Sequence, residues 1–158
     1  MNRRIRLAER NAGKLAAGIA RAALDKNAQN ITVLDLTGLD TVTDFFIICT
    51  GEVNQQVRAI VNHVEKEMRK QLRERVIHRE GYEALNWVLL DYVDVVVHVF
   101  RPSFREYYRL EDLWSDAGRI DIKSEKDLKA ITSPVRKKAT RTRERKSKLS
   151  AAESRSSS

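Results

Sequence analysis

A chain of 158 residues, 42% hydrophobic and 33% charged, has the length of one domain and enough apolar content for one core. No apolar stretch approaches the ~18 residues of a membrane span, and the one cysteine, Cys49, excludes an intrachain disulfide and points to a reduced compartment. The net charge of +8 belongs to the C-terminal part: residues 116–158 hold 13 Lys or Arg against 6 Asp or Glu, leaving 17 against 16 for the rest, a balance that argues against a folded domain that reads bases.

The opening segment, MNRRIRLAERNAGKLAAGIARAALDK, is amphipathic and Arg-rich in the manner of a transit peptide. However, it has no serine and carries Glu9 and Asp25. Ala8, Ala12, Leu15, Ile19 and Ala23 step along one helical face, which favours a packed first helix. ITVLDL (31–36) reads as a strand and TGLDTVTD as the turn segment after it. FFIICT (45–50) is apolar without alternation, as in a central strand covered on both faces, and it should bury the Cys49 thiol. Gly51 permits a sharp exit, and Asn54 caps a helix to about Arg73 whose inner face is Val57, Ile60, Val61, Val64, Met68 and Leu72. RVIH (75–78) reads as a short edge strand and REGYEALN as a loop. WVLLDYVDVVVHVF reads as two strands meeting at a tight Asp91–Asp94 turn. Pro102 opens a short or broken helix through Phe104, Tyr107, Tyr108, Leu110, Leu113 and Trp114. From residue 118 the chain is polar, free of aromatics and serine-rich at its end, which reads as a disordered basic tail. The domain therefore spans 1–117, with a mixed sheet flanked by helices in the order α-β-β-α-β-β-β and no internal repeat.

Catalytic constellations are scarce. Asp91 and Asp94 could be metal-binding carboxylates with His98 as acid or base, and Asp94 and His98, four apart, would share a strand face. Two acids at a hairpin turn are more often turn formers, and no third carboxylate stands at motif spacing. His63, His78 and His98 lack a metal-ligand spacing, Cys49 stands in no CxxC, Gly51 opens no phosphate loop, and neither Ser103 nor Ser115 sits in a nucleophile elbow. No cofactor or metal is expected. Trp87, Phe104, Tyr107, Tyr108 and Trp114 interleave with Arg101, Arg105 and Arg109, the residue types that dominate protein–protein hot spots.

DLTGLDTVTDFFIICTG, NWVLLDYVDVVVHVF and REYYRLEDLWSDA resemble the signature segments of the ribosomal silencing factor family, also called Iojap-like, over roughly residues 8–117. The resemblance implies an α/β domain similar to the nucleotidyltransferase fold without its catalytic motif. It implies binding to the large ribosomal subunit through large-subunit protein fourteen, which blocks the small subunit sterically and represses translation under nutrient limitation. Relatives in organelles act in large-subunit biogenesis. Carried over by position, the contact surface falls on Trp87, Leu90, Asp91, Arg105 and Tyr108, with Asp94 and His98 shaping the sheet beside it. On that reading Trp87→Ala or Tyr108→Ala weakens docking and leaves the fold intact. A homodimer through the exposed sheet face or the first helix, a cytoplasmic location and ribosomal RNA contact by the basic tail also follow as expectations, the last beside a tail that is only solvated. A divergent metal-dependent nucleotidyltransferase using Asp91 and Asp94, or an RNA-binding biogenesis factor, are the competing readings.

Overall fold

The computed structural model describes residues 3–132. Residues 133–158 of the expected tail, and the side chain of Ala8, lie outside the described residues. The elements are α1 (Arg3–Asp25), β1 (Gln29–Asp35), β2 (Phe45–Thr50), α2 (Asn54–Leu72), β3 (His78–Glu80), β4 (Trp87–Asp91), β5 (Val95–Phe100), α3 (Pro102–Tyr108), α4 (Leu110–Leu113), β6 (Gly118–Ile122) and a 3₁₀ segment, Glu125–Thr132. They form one six-stranded mixed sheet in the order β3-β4-β5-β2-β1-β6. β2 and β5 pair in parallel at its centre and every other pair is antiparallel.

The period-two alternation of strands divides the side chains between two cores. Phe45, Ile47 and Cys49 of β2 and Val95, Val97 and Val99 of β5 face α1, α2 and the 3₁₀ segment. Phe46, Ile48, Val96 and Phe100 face the other way, under α3, α4 and the Leu36–Leu39 segment. All residues of β2 and β5 are buried, as the unalternating FFIICT requires. Within α1, Ala12, Leu15, Ile19 and Ala23 are buried, so a packed helix is what this amphipathic segment forms. No helix among the described residues is long and apolar enough to cross a membrane.

Several boundaries differ from the sequence reading. Val53, not Asn54, is the N-cap of α2, and it makes no side-chain cap bond. Asn54 Oδ1 instead accepts Arg101 Nη1 at 2.7 Å. Gly51 is needed for close approach: a Cβ there would stand 2.8 Å from Val57 Cγ2. The edge strand is His78–Glu80, because its start is fixed by pairing with β4, His78 opposite Asp91, while the β-branched Val76 packs towards the helical core. The expected helix after Pro102 is indeed broken, at Arg109, whose φ of 46° ends α3 and starts α4.

The largest correction concerns residue 118 onward. The fold does not end at 117: β6 pairs antiparallel with β1 along five residues, and the 3₁₀ segment buries Leu128 and Ile131 in the core that contains α1. The alternation in GRIDI is masked by its charges. Arg119 and Asp121 point to the open face while Ile122 points inward, so composition alone reads as a tail what pairing makes a strand.

Candidate functional site

The five residues carried over as a contact surface do not form one surface. β4 alternates, so Trp87 and Leu89 fall in one core while Val88 and Leu90 fall in the other. Leu90 is fully buried beneath the helical layer, and Trp87 is 5% exposed. In the isolated chain both side chains are turned into the cores, unlike the exposed contact side chains that the resemblance implies.

Trp87 instead organises an internal aromatic layer. Its indole Nε1–H donates to Nδ1 of His98 at 3.1 Å. Its ring stacks on Phe100 at 4.7 Å and meets Tyr108 at 4.8 Å. Because Nδ1 accepts, the His98 proton sits on Nε2, which has no hydrogen-bond partner among the described residues. Phe46 meets this ring edge to face at 4.9 Å, and Trp114 packs against Phe46 at 5.5 Å. The interleaved aromatics are thus the seam between the sheet and the α3–α4 cover, with Tyr107 alone strongly exposed, at 74%.

Burial holds the His98 imidazole neutral and lowers its pKa from 6.5 to about 3. The unfolded chain takes up a proton near pH 6.5 that the folded chain refuses. The stability due to this group is therefore complete above that pH and is lost as pH falls towards the folded value, by up to ~1.4 kcal/mol per unit. Urea unfolding between pH 7 and 5 should show this loss, about 2 kcal/mol in all, and His98→Gln should flatten it. An unchanged slope in the variant would assign the loss to other groups.

Arg105 is a brace. Its side chain is 12% exposed and its Nε lies 3.3 Å from Glu111. Nη1 donates to the Asn30 carbonyl at 2.6 Å and to Thr50 Oγ1 at 3.0 Å, and Nη2 to Thr32 Oγ1 at 3.3 Å. Asn30 has a φ of 49° in a β1 bulge, which turns its carbonyl outward to this guanidinium. Two open clefts of about 400 and 550 Å³ flank Arg105, but their linings mix both signs of charge and its guanidinium is already committed. Cys49 is buried and its thiol pKa is pushed up to about 12 by that burial. Among the described residues no group of three or more His, Cys, Asp or Glu could hold a metal ion.

Asp91 leads to a different surface. Its Oδ1 accepts the Val93 N–H at 2.7 Å, a local turn that holds Val93 at a φ of 74°. A β-branched residue pays roughly 1–3 kcal/mol for such a conformation, so the turn is strained by its own side chain. The Asp94 carbonyl accepts the N–H groups of Asp44 and Phe45, and the Asp91 carbonyl accepts that of Ile77. These bonds bring three exposed aliphatics to one end of the sheet: Val42 (80%), Ile77 (70%) and Val93 (52%), entering β2, entering β3 and joining β4 to β5. Asp40, Asp44, Asp91 and Asp94 lie in the same two turns, and neither turn contains Lys or Arg. The two turns make an acidic rim studded with Val42 and Val93 on a hydrogen-bonded base, and Ile77 joins it from a segment that carries Arg75 and Arg79. Tyr108, over Trp87, lies at the far end of β4 from it. Sequence reasoning passed over Val42, Ile77 and Val93, although apolar residues inside TGLDTVTD and DYVD were a signal: β-branched side chains there satisfy neither turn geometry nor core.

A family model described as "Ribosomal silencing factor during starvation" matches residues 9–153. The chain is 43% identical over 98 residues to a ribosomal silencing factor of Halalkalibacterium halodurans, covering 62% of this chain and 83% of that protein. It is 43% identical over 103 residues to one of Bacillus subtilis, covering 65% and 86%. A mouse protein named for mitochondrial assembly of the ribosomal large subunit is 33% identical over 93 residues, 57% of this chain and 40% of that one. A crystal structure of a Chromobacterium violaceum protein, 35% identical, superposes with a TM-score of 0.61 over 65% of this chain and 84% of that chain.

Proposed function

The chain belongs to the ribosomal silencing factor family, and on that premise we propose that it docks on the large ribosomal subunit and prevents the small subunit from joining, repressing translation in the cytoplasm. The partner within the subunit is large-subunit protein fourteen, and the basic tail adds contacts to ribosomal RNA phosphates. The observation that carries this reading is the rim of Val42, Ile77 and Val93 around Asp91 and Asp94. Exposed aliphatics rimmed by charge mark protein-binding surfaces, and an acidic rim complements a basic ribosomal protein. In this reading Asp91 is a direct contact, while Trp87, Leu90 and Arg105 act from within by fixing β4 and the cover over it. Blocking a joining surface requires affinity and bulk, and no chemical step.

Two substitutions separate docking from folding. Glycine adopts the Val93 backbone conformation without steric cost, so Val93→Gly should hold stability within about 1 kcal/mol while removing a rim side chain. Combined with Ile77→Asp, it should weaken co-sedimentation with purified large subunits at least about tenfold, ~1.4 kcal/mol. It should also restore subunit joining in sucrose gradients. A double variant that still binds and still blocks joining at the concentrations of the unaltered protein would refute the rim as the docking surface.

A further inference from the structure

The near balance of charge over the first 115 residues is a cancellation between surfaces. The acidic rim holds four aspartates in two turns, whereas residues 54–75, α2 and the turn after it, carry six Lys or Arg against three Glu. α2 buries Val57, Ile60, Val61, Val64 and Met68 in the core. Opposite that stripe stand Arg58, Lys66, Arg69 and Lys70, with Arg73 at the C-cap, all exposed and on one outward row about 22 Å long at ~1.5 Å per residue. α1 lies alongside. A Cβ on Gly18 would stand 3.0 Å from Met68 Cε and 3.6 Å from Leu72 Cδ1, and His63 Nε2 is 3.1 Å from Asp25. Lys14 and Arg21, about one turn on either side of Gly18 and both exposed, therefore flank the row.

These cations are not used within the fold. Among the described residues none of them is held in an ion pair. The acids of α2 are engaged on the flanks of the row: Glu65 pairs with Arg79 at 3.0 Å, and Glu67 accepts Gln71 Nε2 at 2.7 Å. Like charges three and four residues apart, as at Lys66, Arg69, Lys70 and Arg73, oppose a helix. The helix dipole compensates Arg69 and Lys70 in the last turn, but not Arg58 or Lys66, nor Lys14 and Arg21 within α1. Neither helix contains Phe, Tyr or Trp. The face therefore has no ring on which an unpaired base could stack and no aromatic anchor for a lipid interface. What it complements is a continuous line of phosphates, the surface of a nucleic acid duplex.

We propose that the outward face of α2, with Lys14 and Arg21 of α1, binds the phosphate backbone of double-stranded RNA. Cations in this arrangement neutralise phosphates without reaching base edges, so the binding is blind to sequence, in keeping with a folded part that reads no bases. RNA is the duplex that a ribosomal factor meets; that it is ribosomal rests on the function proposed above, and the fit of the face to a phosphate backbone does not. Ile77 follows Leu72, the last residue of α2, by five positions, so the acidic rim and the cationic face meet at one end of the sheet. A basic protein with RNA beside it would engage both.

Fluorescence anisotropy of an RNA duplex of about 16 base pairs and arbitrary sequence, titrated with the full chain between about 50 and 200 mM salt, tests it. Arg58→Gln, Lys66→Gln and Lys70→Gln combined keep good helix formers at exposed positions, so the thermal midpoint should stay within about 3 °C. Binding should weaken about tenfold or more, and the slope of log Kd against log salt should fall by roughly two to three, at ~0.9 per phosphate contact. Because residues 133–158 are basic too, the contact is located separately: the duplex should protect Lys66 and Lys70 from acylation. A triple variant that keeps both affinity and slope, with protection confined to lysines after residue 132, would overturn the face and assign the RNA to the tail. Phosphatidylserine vesicles that protect Lys66 and Lys70 where the duplex does not would overturn it in favour of a membrane. A chain that binds large subunits but no duplex would overturn this face and leave the rim standing.

Discussion

A chain ended after Ala117 is expected not to fold. It would lose β6 and the 3₁₀ segment, and with them the burial of Ile122, Leu128 and Ile131, each 5% exposed or less. At ~1.5–3 kcal/mol for each fully buried side chain this removes roughly 5–9 kcal/mol, comparable to the whole ~5–15 kcal/mol stability of an ordinary domain. It would also bare the β1 edge and a flank of α1 lined with alanines. Leu128→Ala alone should cost about 2–5 kcal/mol in urea unfolding. Ending the chain after Thr132 keeps every described contact, so its thermal midpoint should stay within about 5 °C of the full chain. That shortened protein is also the one in which a tail contribution to ribosome binding can be read, as a shallower salt dependence. A cooperative transition near the native midpoint in the chain ended at Ala117 would show that β6 and the 3₁₀ segment are accessory.

Trp87→Ala should destabilise by about 3–5 kcal/mol, with little effect on the ribosome affinity of the molecules that remain folded. The substitution empties the space between Phe100 and Tyr108 and takes the donor from His98 Nδ1, leaving both ring nitrogens of a fully buried imidazole without partners. Trp87→Phe retains a ring and loses the indole N–H, so it should cost less, about 1–2 kcal/mol. The discriminating measurement pairs the urea midpoint with co-sedimentation. A Trp87→Ala protein of near-normal stability that no longer binds large subunits would return Trp87 to the contact surface and remove it from the seam.

Local pattern was enough to find the helices and the paired central strands. FFIICT and VVVHVF carry their burial on their face, and the helix from residue 54 shows its period in Val57, Ile60, Val61, Val64 and Met68. What could not be read locally depended on partners distant in the chain. β6 is a strand because Ile31–Asp35 lies beside it, and GRIDI by itself looks like a solvated run. The same holds for function. The resemblance places Trp87, Leu90 and Asp91 together because they are neighbours in sequence, whereas the strand sends Leu90 to one core, Trp87 to the other, and leaves Asp91 at the turn. Val42, Ile77 and Val93 are 51 positions apart from first to last and reach the same end of the sheet only through strand order.

The pairing of the second element with nearly the last sets a timetable for synthesis. Thr32 and Asp121 hydrogen-bond across 89 positions, so β1 emerges long before the strand that flanks it exists. At ~5–20 residues per second the ribosome takes about 5–20 s to supply that partner. During that interval the flank of α1 awaiting Leu128 and Ile131 stays wet, and a surface made largely of methyl groups is less adhesive to other nascent chains than a leucine-rich one of equal length. A member of this family therefore closes its sheet late, β1 waiting through most of the described length for the strand that completes it.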